Sequence, residues 1–190
     1  VVSDWNNPYL TINPSFEANQ ISVFSDMFLK GYIYRGMKPV NWSPSSQTAL
    51  AEAELEYPDN HISKSVYVKF PVLKKTYPNE IKETCDNLNF LVWTTTPWTL
   101  PANKALSINQ DFVYGIYEIG NEQIIIELDL AIKLNDKSDL NLNKINEISG
   151  KTLLEMKYLS PLTQQECSVY NAEYVTKDAG TGIVRTAPGH

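Results

Sequence analysis

The sequence predicts a mainly β (α+β) fold, in which a β-barrel or folded sheet carries peripheral helices. Short runs of alternating or continuous apolar residues recur along most of the 190 residues, and Gly, Pro, Asn and Asp bound them. Helical spacing, by contrast, is sustained in one long stretch and one short one. The composition points the same way: 43% hydrophobic and 11% aromatic residues can fill a core, and 20% charged residues are too few for a disordered chain. A chain of this length makes one ordinary domain, or one with a small appendage.

The elements follow in order. Asn13 is placed as an N-cap with Pro14 at the first helical position. Phe16, Val23, Phe24, Met27 and Phe28 share one helical face, and Gly31 ends the helix. Tyr32–Ile33–Tyr34 and Pro39–Val40–Asn41–Trp42 read as extended. Ala53–Tyr57 alternates small or apolar with acidic residues, and Pro58–Asp59–Asn60 is a turn. Strands are expected over 65–70 and, near-continuously apolar and therefore central, over 89–94. Residues 112–117 and 123–126 flank Gly120–Asn121 as a hairpin. A short helix is expected over 127–134, a polar surface loop over 135–146, and final strands over 168–174 and 183–186.

Charge and cysteine use narrow the function classes. With 22 acidic and 16 basic side chains the net charge is −6, which argues against a self-sufficient nucleic-acid binder. Such a balance still fits a domain that other parts of a larger protein hold against nucleic acid. Cys85 and Cys167 are far apart without ligand-like neighbours and read as thiols in a reduced compartment. His61 and His190 by themselves make no metal site. No apolar run reaches the ~18 residues of a membrane span, and Val1–Val2 is followed at once by Ser3–Asp4–Trp5, so neither a span nor a signal peptide is expected.

Chemistry-bearing side chains gather in two places. Trp93–Asn103 packs four threonines (Thr94, Thr95, Thr96, Thr99), two tryptophans and Asn103 into eleven residues at the end of a buried strand. Pro97 and Pro101 force irregular backbone there, so neutral donors and acceptors collect beside aromatic walls, as a small polar ligand requires. The same residues also fit a Thr-rich strand whose hydroxyls cap a short helix at Pro97. Asp178–His190 holds Gly180–Thr181–Gly182, which either opens backbone amides to an anion or carbonyl or makes a plain turn. It is not a P-loop, because no Gly-Lys-Ser/Thr follows. Ser43 and Ser46 read as turn residues. With no Ser-His-Asp set and no paired carboxylates, hydrolysis here would use an activated water.

Taken together, these segments resemble isoleucyl-tRNA synthetase, and within it the editing domain of the first connective peptide. Asp4–Thr11 resembles the stretch that leads out of the catalytic core, and Lys38–Trp42 with Ala49–Tyr57 the entry to the insertion. Trp93–Asn103 and Gly180–His190 resemble the two walls of the editing pocket. The string Thr94–Thr95–Thr96–Pro97–Trp98–Thr99 is specific, since valyl and leucyl relatives typically carry Thr-Thr-Arg-Pro. The likeness runs from about residue 4 to residue 190, with residues 1–40 as a helical lead-in and 41–190 as an editing domain truncated at its C-terminal end.

The resemblance implies hydrolysis of valyl-tRNA(Ile) by water attack on the aminoacyl ester, in a β-barrel editing domain. Thr95, Thr96 and Asn103 would be catalytic, and Trp93, Thr94, Trp98, Gly180, Thr181, Gly182 and Arg185 would bind substrate. No cofactor or metal is implied for the domain, while the parent enzyme uses ATP and magnesium. The implied partners are the 3′ end of tRNA(Ile) carrying valine and the remainder of the synthetase, with no membrane, in the cytoplasm or an organellar matrix or stroma. Three departures matter. Arg185 stands where the family usually has histidine and valyl relatives lysine. The family's ammonium-binding aspartate falls just beyond the Thr-Ala-Pro-Gly-His string, so the isolated chain is expected to edit weakly or not at all. Serines occupy 43 and 46 where many bacterial relatives have Cys-x-x-Cys, so no zinc is expected there. A binding fragment for aminoacyl-adenosine, and valyl-type editing of threonyl-tRNA, are the alternatives.

Overall fold

The computed structural model describes residues 4–138 and 140–189. The readings that fall on Val1–Ser3, Asp139 and His190 therefore lie outside the described residues. The chain divides into two compact units, Val1–Ala51 and Glu52–His190, a division later than the boundary expected at 40/41.

In the first unit, helix α1 (Pro14–Leu29) starts where the sequence places it, with Asn13 in extended conformation and Pro14 at the first turn. The Asn13 side chain makes no capping bond; its carbonyl accepts from the Phe16 and Glu17 N–H groups at 2.8 and 3.1 Å instead. The helix closes when Gly31 N–H donates to Phe28 O and Tyr32 N–H to Met27 O. Its apolar face buries none of its residues. Tyr9 meets Phe16 edge-on, with ring centroids 5.6 Å apart. The expected extended run at 32–34 is not a strand. A two-stranded hairpin, β1 (Trp42–Ser43) and β2 (Thr48–Ala49), follows. The Ser43 and Ser46 hydroxyls hydrogen-bond each other in its turn at 3.1 Å.

The second unit holds a five-stranded and a four-stranded sheet. In the first the order is β3 (Val66–Pro71), β4 (Leu88–Thr94), β7 (Glu122–Glu127), β6 (Val113–Ile119), β8 (Asn143–Ser149). The β4–β7 pair is parallel and its neighbours are antiparallel. The second sheet runs β11 (Ile183–Thr186), β5 (Ala105–Ile108), β10 (Glu166–Asn171), β9 (Lys157–Leu159), with β5–β10 parallel. Helix α2 (Leu128–Lys137) begins on Glu127, whose carboxylate accepts from Leu130 N–H at 3.0 Å. A single turn, α3 (Gly150–Leu153), is capped by the Ser149 hydroxyl.

Side chains alternate across β4, and that alternation sorts the core. Phe90 and Val92 enter the main cluster with Phe70, Leu106, Ile108, Tyr114, Ile116, Ile125, Tyr158 and Ile183. Leu91 points the other way, into a smaller cluster with Ile124, Ile126, Leu130, Ala131 and Leu134 beneath α2. Each fully buried aliphatic or aromatic side chain contributes roughly 1.5–3 kcal/mol, so these two layers hold the sheets and α2 together.

Several expectations need correction. The mainly β, α+β class stands, but the sheets do not close into a barrel. Among the described residues β3 and β8 edge one sheet and β11 and β9 the other, and the two sheets join through the single Val72–Tyr158 bridge. Pro97 and Pro101 lie in the 3-10 segment Pro97–Ala102 between β4 and β5. Their missing N–H groups and fixed φ stop one ladder from running into the next. Ala53 and Glu54, expected within an alternating run, fall instead in a 3-10 turn, Glu52–Glu54. Most of the expected loop 135–146 is instead the end of α2 and the start of β8. β8 is a polar edge strand that buries only Ile148, and its stability comes from pairing with β6 rather than from local hydropathy. β5 and β9 are short strands that the sequence reading does not contain.

Candidate active site

β4 delivers the threonine segment to the surface of the second unit. The strand stays buried up to Thr94, and Thr96 adopts φ −124°, ψ 63° before Pro97 opens the 3-10 segment. The turn that results is dense in hydrogen bonds. Thr96 N–H donates to Thr94 Oγ1 at 3.1 Å, the Thr94 and Thr96 hydroxyls lie 3.3 Å apart, and Thr99 Oγ1 donates to Thr96 O at 2.8 Å. The hydroxyls brace the turn and also line a cavity, but Thr96, at the N-cap of the 3-10 segment, makes no side-chain capping bond.

The facing wall is the loop 179–182 and β11. Gly182 sits at φ +73°, and a Cβ built there would stand 2.4 Å from the Glu127 Cβ, so only glycine fits. The loop is held from behind: Glu127 N–H donates to Thr181 O at 3.0 Å, and Tyr114 Oη donates to Gly182 O at 2.9 Å. Burial raises the Tyr114 hydroxyl to a pKa of about 12. Glu127 is fully buried and forms an ion pair with Lys177 Nζ at 2.7 Å, without the alignment of a hydrogen bond. With the Thr181 and Gly182 carbonyls engaged behind it, the loop leaves the N–H groups of Gly180, Thr181 and Gly182 without an acceptor among the described residues.

Between these walls lies a cavity of about 300 Å³. It brings together Trp93, Thr94, Thr95, Thr96, Gly180, Thr181, Gly182 and Arg185, eight of the ten residues singled out in the sequence. Two lie elsewhere. Trp98 is two-thirds exposed, on a neighbouring cleft shared with Thr96, Thr99, Arg185 and Ala187. Asn103 is buried behind the corner, where its Nδ2 donates to the Tyr158 hydroxyl at 2.8 Å and its Oδ1 has no partner among the described residues. Burial drives the Tyr158 pKa well above its ordinary value.

The Thr181 side chain is also largely spoken for, since its hydroxyl reaches Ile183 O at 3.4 Å. Tyr174, Thr176, Ala179, Ile183 and Val184 complete the lining. Tyr174 and Thr176 carry no signal in the sequence beyond lying a few residues ahead of the glycines. The Tyr174 Oη donates to the Ser107 hydroxyl on β5 at 2.8 Å, which fixes that ring to the sheet.

Arg185 joins the two walls. Its Nη1 donates to Thr99 O at 3.1 Å, its Nη2 to Thr96 O and Thr96 Oγ1 at 3.0 Å and to Thr94 Oγ1 at 3.4 Å, and it also contacts Thr99 Oγ1. Burial lowers its pKa, yet a guanidinium keeps its charge in a protein. An arginine only donates, so Thr94 and Thr96 accept from it; one of the two hydroxyls donates to the other, which leaves one of their protons available. The cavity is lined by neutral hydroxyls, free amides, aromatic surface and one cation, with no carboxylate or imidazole among the described residues. Such a set can bind and polarise a carbonyl and orient a water. Among the described residues no three His, Cys, Asp or Glu side chains cluster to hold a metal ion.

Comparison with known proteins gives the family. Residues 1–117 match the family described as tRNA synthetases class I (I, L, M and V). The chain is 50% identical to isoleucine–tRNA ligase of Microcystis aeruginosa and 48% identical to that of Acaryochloris marina, over 100% of this chain and 20% of each relative. It thus spans about one fifth of the length of the curated relatives it matches. The fold is similar to the solved structure of GlLeuRS-CP1, with a TM-score of 0.56 and 24% identity over 66% of this chain and 55% of that one. It is also similar to the P. falciparum cytosolic leucyl-tRNA synthetase editing domain, with a TM-score of 0.50 and 12% identity over 65% of this chain and 60% of that one.

Proposed function

Because this chain belongs to the class I tRNA synthetases (I, L, M and V), we propose that its second unit is an editing pocket that hydrolyses the aminoacyl ester of mischarged tRNA, with valyl-tRNA(Ile) as substrate. The observation that carries this reading is the meeting of the threonine corner and the three free amides of residues 180–182 across one cavity. Valine and isoleucine differ by one methylene, worth about 1–3 kcal/mol in an apolar pocket, a general figure that this amino-acid pair itself exemplifies. Binding alone cannot discriminate further, so a second, smaller site that hydrolyses the wrong ester adds the missing accuracy.

The chemistry asks little of ionisable groups. Water attacks the ester carbonyl carbon; a C–O bond forms, the bond to the ribose oxygen breaks, and that oxygen takes up the proton the water gives up. Negative charge passes through the carbonyl oxygen. The amides of Gly180, Thr181 and Gly182 and the Thr95 and Thr96 hydroxyls are the neutral donors positioned to receive it. Arg185 holds Thr96 in place and adds positive potential behind the hydroxyls. In this reading the remainder of the synthetase carries most of the tRNA affinity and all of the ATP and magnesium chemistry, consistent with the net charge of −6.

The test is deacylation of valyl-tRNA(Ile) against isoleucyl-tRNA(Ile) and threonyl-tRNA, by this chain and by one extended through the expected aspartate. Release of valine in preference to isoleucine and threonine, by either chain, supports the reading. Preference for threonine makes the pocket valyl-type, and no release by two folded chains overturns hydrolysis.

A further inference from the structure

A second hollow adjoins the cavity and shares Trp93, Ala179 and Gly180 with it. It is a groove of about 340 Å³ between α2 and the ends of β3 and β4, lined further by Tyr67, Leu130, Lys133, Leu134, Lys137 and Asp178. Tyr67 stands directly opposite Trp93 in the β3–β4 register, so the two aromatic side chains share the sheet face that α2 covers. A Cβ on Gly180 would lie 3.4 Å from the Trp93 ring, so the loop backbone rests against the indole that separates the hollows. We propose that this groove is a subsite for the nucleotide preceding the 3′-terminal adenosine of the RNA strand, with Lys133 and Lys137 at its phosphodiester and Trp93 and Tyr67 under its base. The inference rests on the editing reading and extends it from the scissile ester to the path of the strand.

Three observations support the assignment. Lys133 and Lys137 are four residues apart on α2 and therefore on one face, and both are exposed. Six other lysines of this unit (69, 74, 75, 144, 157 and 177) are held by carboxylates, and Lys64, Lys82, Lys104 and Lys151, which have no ion pair among the described residues, do not line this groove. Lys133 donates only to the Lys177 carbonyl, at 3.1 Å, and Lys137 has no ion pair among the described residues. On a chain of net charge −6, two uncompensated cations beside the reactive cavity form a local anion site, which Asp178 at the rim weakens without cancelling. Aromatic surface beside lysines is the pairing that holds single-stranded nucleic acid without reading its sequence.

The probes are a 5′-CCA trinucleotide whose terminal adenosine carries valine through a non-hydrolysable amide, and the same valylamido-adenosine as a lone nucleoside. Binding is read from tryptophan fluorescence at several salt concentrations. The trinucleotide is expected to bind at least tenfold more tightly than the nucleoside. Lys133→Ala/Lys137→Ala should abolish that gain while nucleoside affinity stays within twofold, and the salt slope should fall by about 0.7 for each phosphate that is no longer neutralised. Lys151→Ala, on a separate cavity, removes charge elsewhere and should leave the gain intact. If the nucleoside binds and the trinucleotide gains nothing, or gains equally in the double variant, the subsite is overturned and the editing reading stands. If neither probe binds the folded chain, both readings fail together.

Discussion

Arg185 Nη2 lies 3.0 Å from the Thr96 hydroxyl, so a side chain from β11 anchors the turn that ends β4. The two segments are nearly ninety residues apart in the sequence, and the guanidinium closes that gap with donors directed at two carbonyl-bearing turn residues, Thr96 and Thr99.

Arg185→Ala should therefore destabilise the fold by about 1–3 kcal/mol, since several charge-assisted bonds go at once. Arg185→Lys should recover only part, because an ammonium cannot span Thr96 and Thr99 in one planar fork. Urea unfolding measures both variants. An alanine variant as stable as the parent would show that the clamp holds nothing.

Two glycines two residues apart should respond differently to alanine. Gly182→Ala meets the Glu127 Cβ at 2.4 Å and keeps φ +73°, so it should cost more than about 2 kcal/mol and disturb the loop. Gly180→Ala has φ +80° but only an ordinary contact with Trp93, and about 1 kcal/mol is expected. The order of the two midpoints in denaturant checks the close approach rather than the turn alone.

Tyr114 makes the second unit sensitive to alkali. Its hydroxyl accepts from Asn109 N–H at 3.1 Å and donates to Gly182 O, and burial raises its pKa from 10.0 to about 12. The unfolded chain releases this proton first. The stabilisation is thus fully present below about pH 10 and is lost as pH rises towards 12, by on the order of 2–3 kcal/mol. Tyr158 and Lys177, whose pKa values are also raised, add to the loss at still higher pH. Tyr114→Phe should lower stability near neutral pH by about 1 kcal/mol and flatten the fall between pH 10 and 12. Denaturant midpoints across that range decide it.

Thr96 and Asn103 should separate chemistry from architecture. Thr96→Ala removes a cavity hydroxyl and should slow deacylation on the order of a hundredfold, with a smaller effect on stability. Asn103→Ala leaves the Tyr158 hydroxyl without its partner in the core and should cost about 1–3 kcal/mol, while turnover per folded molecule changes less than for Thr96→Ala. Equal losses of turnover in the two variants would put Asn103 back among the residues that act on substrate.

Elements with a local signal are legible in the chain alone. Asn13–Pro14 set the start of α1, the apolar run to Thr94 set the interior strand β4, Gly120–Asn121 set the β6–β7 hairpin, and the threonine and glycine segments marked the two walls. Features that depend on partners distant in the chain emerge only when it folds. β8 is polar and exists because β6 offers it a ladder. Open sheets replace the expected barrel, because among the described residues β3, β8, β9 and β11 each pair with one strand only, which no local signal announces. Asn103 belongs to the same short segment as Thr96, yet the 3-10 turn between them carries it out of the cavity and into contact with Tyr158. Composition and spacing record which groups are near in the chain, whereas hydrogen bonds to Arg185, Tyr114 and Glu127 form only after burial has brought distant strands together.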